Sequence, residues 1–227
     1  MAEEEYSDIP YLTEGYLGKQ GKFDSYELKC VSHPEPVIRL DTNKCEIVIG
    51  MAEPTRFTSK FKRMEPIQEM NNCVFTQNMG SEIHFNIAVS QTGFYKFEIY
   101  ALPSGVAGPK FIDVFNYLIH VKNVDAYVEP YPKQYPMWKQ EGCFVFEPMM
   151  IQKGCKYPVS FAYYIPHAVD VQVKAGEDWH KLEKEGKDIY KGYIDFSGTD
   201  YPSGTKIKLN VKFGRSNKYD ILLEYTI

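Results

Sequence analysis

The residues of this chain best suited to covalent chemistry are Cys143, His167 and Asp170: a thiol, an imidazole and a carboxylate in one region. Thiol catalysis needs a base that takes the sulfur's proton and a third group that orients the base. Cys143, however, opens the apolar run Cys143-Phe-Val-Phe146, where a small thiol behaves as a buried hydrophobe. His167 follows Pro166 in a turn. The expectation is that the chain is not an enzyme. The histidines, His33, His84, His120, His167 and His180, lack metal-ligand spacing, and no phosphate-cradling glycine motif is present. No metal and no cofactor are expected.

Non-covalent recognition has better candidates. Trp179, Tyr190 and Tyr193 form a candidate ligand platform, because an exposed flat aromatic ring stacks on a pyranose. The order Val171-Gln-Val173, Trp179, Leu182 and Tyr190-Lys-Gly-Tyr-Ile194 resembles sugar-binding sandwich modules. Against a glycan stands the plainer reading, in which Trp179 packs over a sheet edge. Lys206, Lys208 and Lys212 alternate along one strand face, with Lys218 near the following turn. They make a candidate basic stripe for an acidic partner or anionic lipid. The same pattern also serves as a solvated face that discourages edge pairing.

Positioning these groups takes a scaffold of strands. The 227 residues suffice for two sandwiches of about 100 residues each. Hydrophobic residues at 44% allow a core in each, and the 18 Tyr and 14 Phe favour strands. A net charge of −4 argues against nucleic acid, which requires a basic footprint. There is no apolar run of transmembrane length and no secretory pattern at the amino terminus. Cys30, Cys45, Cys73, Cys143 and Cys155 are odd in number and widely spaced, which predicts reduced thiols and a cytoplasmic location.

Residues 1–32 read as an acidic, partly disordered leader, with Tyr6, Tyr11 and Tyr16 at a spacing that fits neither helix nor strand. From Pro36 short apolar runs alternate with turns. Over 82–89 the period of two places Ile83, Phe85, Ile87 and Val89 on one buried face. In Gln91-Thr-Gly-Phe-Tyr-Lys-Phe97 a glycine precedes Tyr95 by two residues, and Phe97 stands where an antibody domain carries its second cysteine. That is the outline of an immunoglobulin F strand closed by a ring. The Pro-rich Glu129–Pro136 separates the halves. In the second, Ile207, Leu209, Val211 and Phe213 alternate with polar residues. The fold expected is all-β, two consecutive immunoglobulin-like sandwiches over 33–126 and 127–227.

Several blocks carry a family resemblance: Glu129-Pro-Tyr-Pro-Lys-Gln134, Phe146-Glu-Pro148, Val171-Gln-Val173 with Trp179 and Leu182, Tyr190-Lys-Gly192, and Tyr219-Asp-Ile-Leu-Leu-Glu-Tyr225. In the first half they are Gly93–Pro103 and Val114–Ile119. Together these resemble the tandem immunoglobulin-like modules of the kyphoscoliosis peptidase family, which includes hillarin. In that family a transglutaminase-like domain carries a Cys-His-Asp triad, and no segment of this chain resembles it. The resemblance therefore implies a non-catalytic, protein-binding scaffold or adaptor with cytoskeletal partners. A carbohydrate-binding module using Trp179 is the alternative. Edge-strand addition and the loop Pro103–Pro109 are the expected means of contact.

Overall fold

The structure, a computed structural model, describes residues 10, 15–198, 201–215 and 217–227. Contacts divide it into two units. One runs up to Asn71 and resumes over Val89–Ala126; the other combines Asn72–Ala88 with Tyr127–Ile227. The fold is all-β, as expected, with helix confined to isolated turns.

The first unit contains β1 (Gly18–Lys19), β2 (Leu28–Cys30), β3 (Val37–Leu40), β4 (Lys44–Met51), β5 (Thr55–Met64) and β6 (Ile67–Glu69). The hairpin of β7 (Val74–Asn78) and β8 (Glu82–Ala88) follows and belongs to the second unit. The first unit then resumes with β9 (Gly93–Pro103) and β10 (Ile112–Val121). One sheet has the order β1-β10-β9-β5-β6, with β3 running parallel to β10.

The F-strand outline is borne out in β9. Tyr95, Phe97, Ile99 and Ala101 are all buried, as a period of two requires. The Tyr95 hydroxyl donates to the Gln91 carbonyl oxygen at 2.8 Å, which pins the corner entering the strand. Phe97 sits opposite Phe61 of β5, with ring centroids 6.0 Å apart, so aromatic packing fills the place of a disulfide.

Residues 15–32 depart from the expected leader. β1 pairs with β10 and β2 with β4, while Phe23 and Leu28 are buried. Each such side chain contributes about 1.5–3 kcal/mol when removed from water. Two apolar residues five apart follow no period, which is why the pattern gave no strand. Tyr6 and Tyr11 lie outside the described residues, while the Tyr16 side chain is exposed.

The second unit adds β11 (Lys133–Gln134), the one-turn helix α1 (Pro136–Gln140), β12 (Phe144–Glu147), β13 (Pro158–Tyr164) and β14 (Ala168–Ala175). It continues with β15 (Asp178–Lys181), β16 (Glu183–Lys184), β17 (Ile189–Asp195), β18 (Lys206–Phe213) and β19 (Tyr219–Thr226). One sheet has the order β11-β19-β18-β14-β15 and the other β12-β13-β17-β16. Leu182, between β15 and β16, is buried where the chain crosses from one sheet to the other. The Pro-rich segment is not merely a spacer. Lys133 and Gln134 form an edge strand, Tyr131 is buried, and Trp138 enters the core.

The hairpin is held by side-chain amides that imitate strand pairing. Gln134 accepts from the Thr76 N–H at 3.0 Å and donates to the Thr76 carbonyl at 2.7 Å. Gln77 accepts from the Val145 N–H at 2.9 Å. Phe75 lies 5.7 Å from Tyr131 and 5.8 Å from Trp138, centroid to centroid.

Candidate functional site

Burial weighs against the thiol route. Cys143 is buried, and burial together with nearby Glu141 pushes its thiol well above the ordinary range, opposite to what a nucleophile needs. Burial likewise pushes Cys73 to about 11 and Cys45 to about 12. Asp170 serves other partners: it accepts from Gln172 Nε2 at 2.7 Å and from the Tyr219 hydroxyl. Partial burial pushes its carboxyl up, but these bonds and the Lys181 charge outweigh that and hold it below the usual carboxylate range. Among the described residues no cluster of three or more His, Cys, Asp and Glu side chains is placed to hold a metal. His120 stacks on Phe94 at 4.1 Å, and His180 Nε2 lies 3.2 Å from the Tyr201 hydroxyl.

The aromatic platform does not assemble. Tyr190 is 3% exposed, and its hydroxyl donates to the Ala168 carbonyl at 2.7 Å, so its ring belongs to the core. Tyr193, three residues along β17, has the opposite parity and projects outward, 73% exposed. Trp179 stands on β15, in the other sheet of the sandwich, and is 50% exposed. Its aromatic neighbour is Tyr219, with centroids 6.0 Å apart and planes at 51°. Lys174 Nζ lies 5.6 Å from the Trp179 ring centroid.

The lysine stripe keeps its common face. Ile207, Leu209, Val211 and Phe213 of β18 are buried, while Lys206, Lys208 and Lys212 face away from the core. Glu224 on β19 lies 3.4 Å from Lys206 and 3.7 Å from Lys208, which offsets part of their charge.

An apolar groove that the sequence reading did not single out lies at the other sheet's edge. It has a volume of about 680 Å³ and is lined chiefly by Met79, Phe144, Phe146, Tyr164 and Pro166. On β12, Val145 points into the core, so Phe144 and Phe146 share the outer face with ring centroids 5.0 Å apart. Phe146 is 53% exposed and Met79 is 50% exposed. At the rim Glu141 accepts from Arg215. Phe-Val-Phe in a continuous apolar run does not reveal which residues face out, so only the paired strand settles it.

Backbone addition at β12 is blunted, since Gln77 already takes the Val145 N–H. The edge strand β15 is four residues long and includes Asp178 and Lys181. In the first unit, the loop between β9 and β10 exposes residues 104–110, with Val106 its large apolar side chain.

A family comparison matches residues 12–132 to the KY-like, immunoglobulin-like domain. No curated protein matches the chain. Similar solved structures include a chimeric titin Z1Z2-Z1Z2 tandem functionalized with a fibronectin-derived peptide, 10% identical over 84% of this chain and 92% of that one, with a TM-score of 0.22. The titin Ig tandem A164-A165 is 10% identical over 82% and 90%, with a TM-score of 0.23. The periplasmic chaperone SfaE is 9% identical over 88% and 98%, with a TM-score of 0.29. Scores this low carry no functional argument. The family match, joined to the all-β fold and the tyrosine corner, is decisive: this chain belongs to the KY-like, immunoglobulin-like domain family.

Proposed function

We infer that the chain is a non-catalytic protein-binding scaffold or adaptor, acting in the cytoplasm with cytoskeletal partners. The apolar groove carries this reading. Exposed patches of clustered aromatic and Met side chains are a mark of protein interfaces, and Phe144, Phe146 and Met79 converge on one depression. Phe146 and Met79 are already half-buried, so covering the rest contributes about 0.8–1.5 kcal/mol each before the cost of association is subtracted. That magnitude fits a reversible contact with a short apolar segment. The cytoplasmic and cytoskeletal parts rest on the unpaired cysteines and on the family resemblance.

Peptide-display selection against the intact chain tests the reading. Enriched peptides should carry spaced apolar residues and bind Phe146→Asp at least about tenfold more weakly, as loss of an interface anchor requires. Selection of nothing, or of peptides that bind Phe146→Asp unchanged, would overturn it.

A further inference from the structure

We propose that the outer face of the β11-β19-β18-β14-β15 sheet is a second binding surface, which takes an acidic polypeptide segment with an apolar residue at its centre. The surface is distinct from the groove, which lies on the opposite sheet.

Ladder register places the groups. Trp179 pairs with Lys174, Lys174 with Lys208, and Lys208 with Glu224. In the next row Lys181 pairs with Gln172 and Gln172 with Asn210; beyond it Asp170 pairs with Lys212 and Lys212 with Tyr219. The Tyr219 hydroxyl reaches diagonally to Asp170 and accepts from Gln172 Nε2 at 2.8 Å, which fixes its ring beside Trp179. Two exposed rings thus meet at 51° above the middle of the sheet.

Charge complementarity selects the occupant. Lys174, Lys181, Lys206, Lys208 and Lys212 surround the ring pair, against Asp170, Glu177 and Glu224. With Lys133, which pairs with Glu224 at the β11 edge, six positive groups against three negative leave an excess of three on this face, in a chain whose net charge is −4. A segment of carboxylates is attracted here and repelled elsewhere. The tilt of the rings decides between peptide and sugar. Coplanar rings would make a flat bed for a pyranose, whereas packed rings at 51° share no plane for a sugar to lie on and offer an angled apolar contact to one side chain. Trp and Tyr are also the side chains that anchor protein interfaces.

The test uses the full chain and a synthetic peptide in which Glu and Asp residues flank a central Leu-Pro-Phe. Binding should weaken several-fold between about 50 and about 200 mM salt, as screening of a surface contact demands. Trp179→Ala should cost at least about tenfold, and a Lys208→Glu/Lys212→Glu double variant a similar factor, while Phe146→Asp leaves this binding unchanged. Trp179 is exposed, so its removal leaves the fold intact, and an unchanged Trp138 emission confirms it. Absence of peptide binding, binding indifferent to both the Trp179 and lysine changes, or loss of binding with Phe146→Asp would overturn the proposal. So would preferential capture of a sulfated oligosaccharide or of phosphatidylserine vesicles that the peptide does not displace.

Discussion

Tyr163 on β13 and Tyr225 on β19 join the two sheets of the second unit through their hydroxyls, 3.1 Å apart and both buried. The Tyr225 hydroxyl also donates to the Pro148 carbonyl at 2.9 Å. A hydroxyl has one proton to give. Tyr225 gives its own to Pro148, so Tyr163 must donate to Tyr225. The two tyrosines are therefore not equivalent. Tyr163→Phe removes a single donor and leaves Tyr225 bonded to Pro148, at a cost of about 1 kcal/mol. Tyr225→Phe removes both bonds and strands the Tyr163 hydroxyl in the core, for about 3 kcal/mol in all. In the double variant the stranded hydroxyl is gone, so the total should fall to about 2 kcal/mol, below the Tyr225→Phe value. Urea unfolding followed by tryptophan emission reads this directly, because both tryptophans of the chain, Trp138 and Trp179, belong to the second unit. The slope of stability against urea should stay constant across the set. A Tyr163→Phe cost equal to or above that of Tyr225→Phe, or additive costs in the double variant, would refute the assigned direction.

Two further outcomes follow from the same core. Burial holds the hydroxyls of Tyr163 and Tyr225 well above the ordinary tyrosine range, whereas the unfolded chain releases those protons near pH 10. The folded state then binds more protons, so stability is full below about pH 10 and falls as pH rises beyond it, by up to about 1.4 kcal/mol per pH unit for each hydroxyl. Either Phe substitution should flatten that slope in urea titrations at stepped alkaline pH. The second outcome concerns Gly192, where a Cβ would lie 2.7 Å from Leu182 Cδ2. Crowding of about 1–3 kcal/mol outweighs the roughly 0.4–1 kcal/mol gained from a stiffer unfolded chain, so Gly192→Ala should lower the urea midpoint. Adding Leu182→Val should restore part of the loss, and a stabilised Gly192→Ala would disprove the contact.

Period-two alternation made much of the architecture legible. It identified the buried faces of β8 and β18, and Gly93, Tyr95 and Phe97 gave away the pinned corner. The same parity argues against uniting Tyr190 and Tyr193, since residues three apart on a strand face opposite ways. Trp138 carries no periodic signal because it sits in a Pro-flanked single turn, yet it is a fully enclosed side chain among Phe75 and Tyr163. Among the described residues its Nε1 has no hydrogen-bond partner, which marks a position held by shape rather than polarity. The groove and the Trp179–Tyr219 pair depend on long-range register: β15 and β19 are separated in the sheet by β14 and β18. No local window contains that information.

The hairpin Val74–Ala88 has a consequence for inheritance of this architecture. Gene fusion usually transplants a module as one uninterrupted stretch, and a cut at Tyr127 would look natural from the proline-rich boundary. A polypeptide beginning there would lack Phe75 beneath Trp138, and Gln134 and Val145 would lose the amide and carbonyl partners that Thr76 and Gln77 supply. Grafting the second unit onto another protein therefore requires carrying the stretch Asn72–Ala88 along with Tyr127–Ile227.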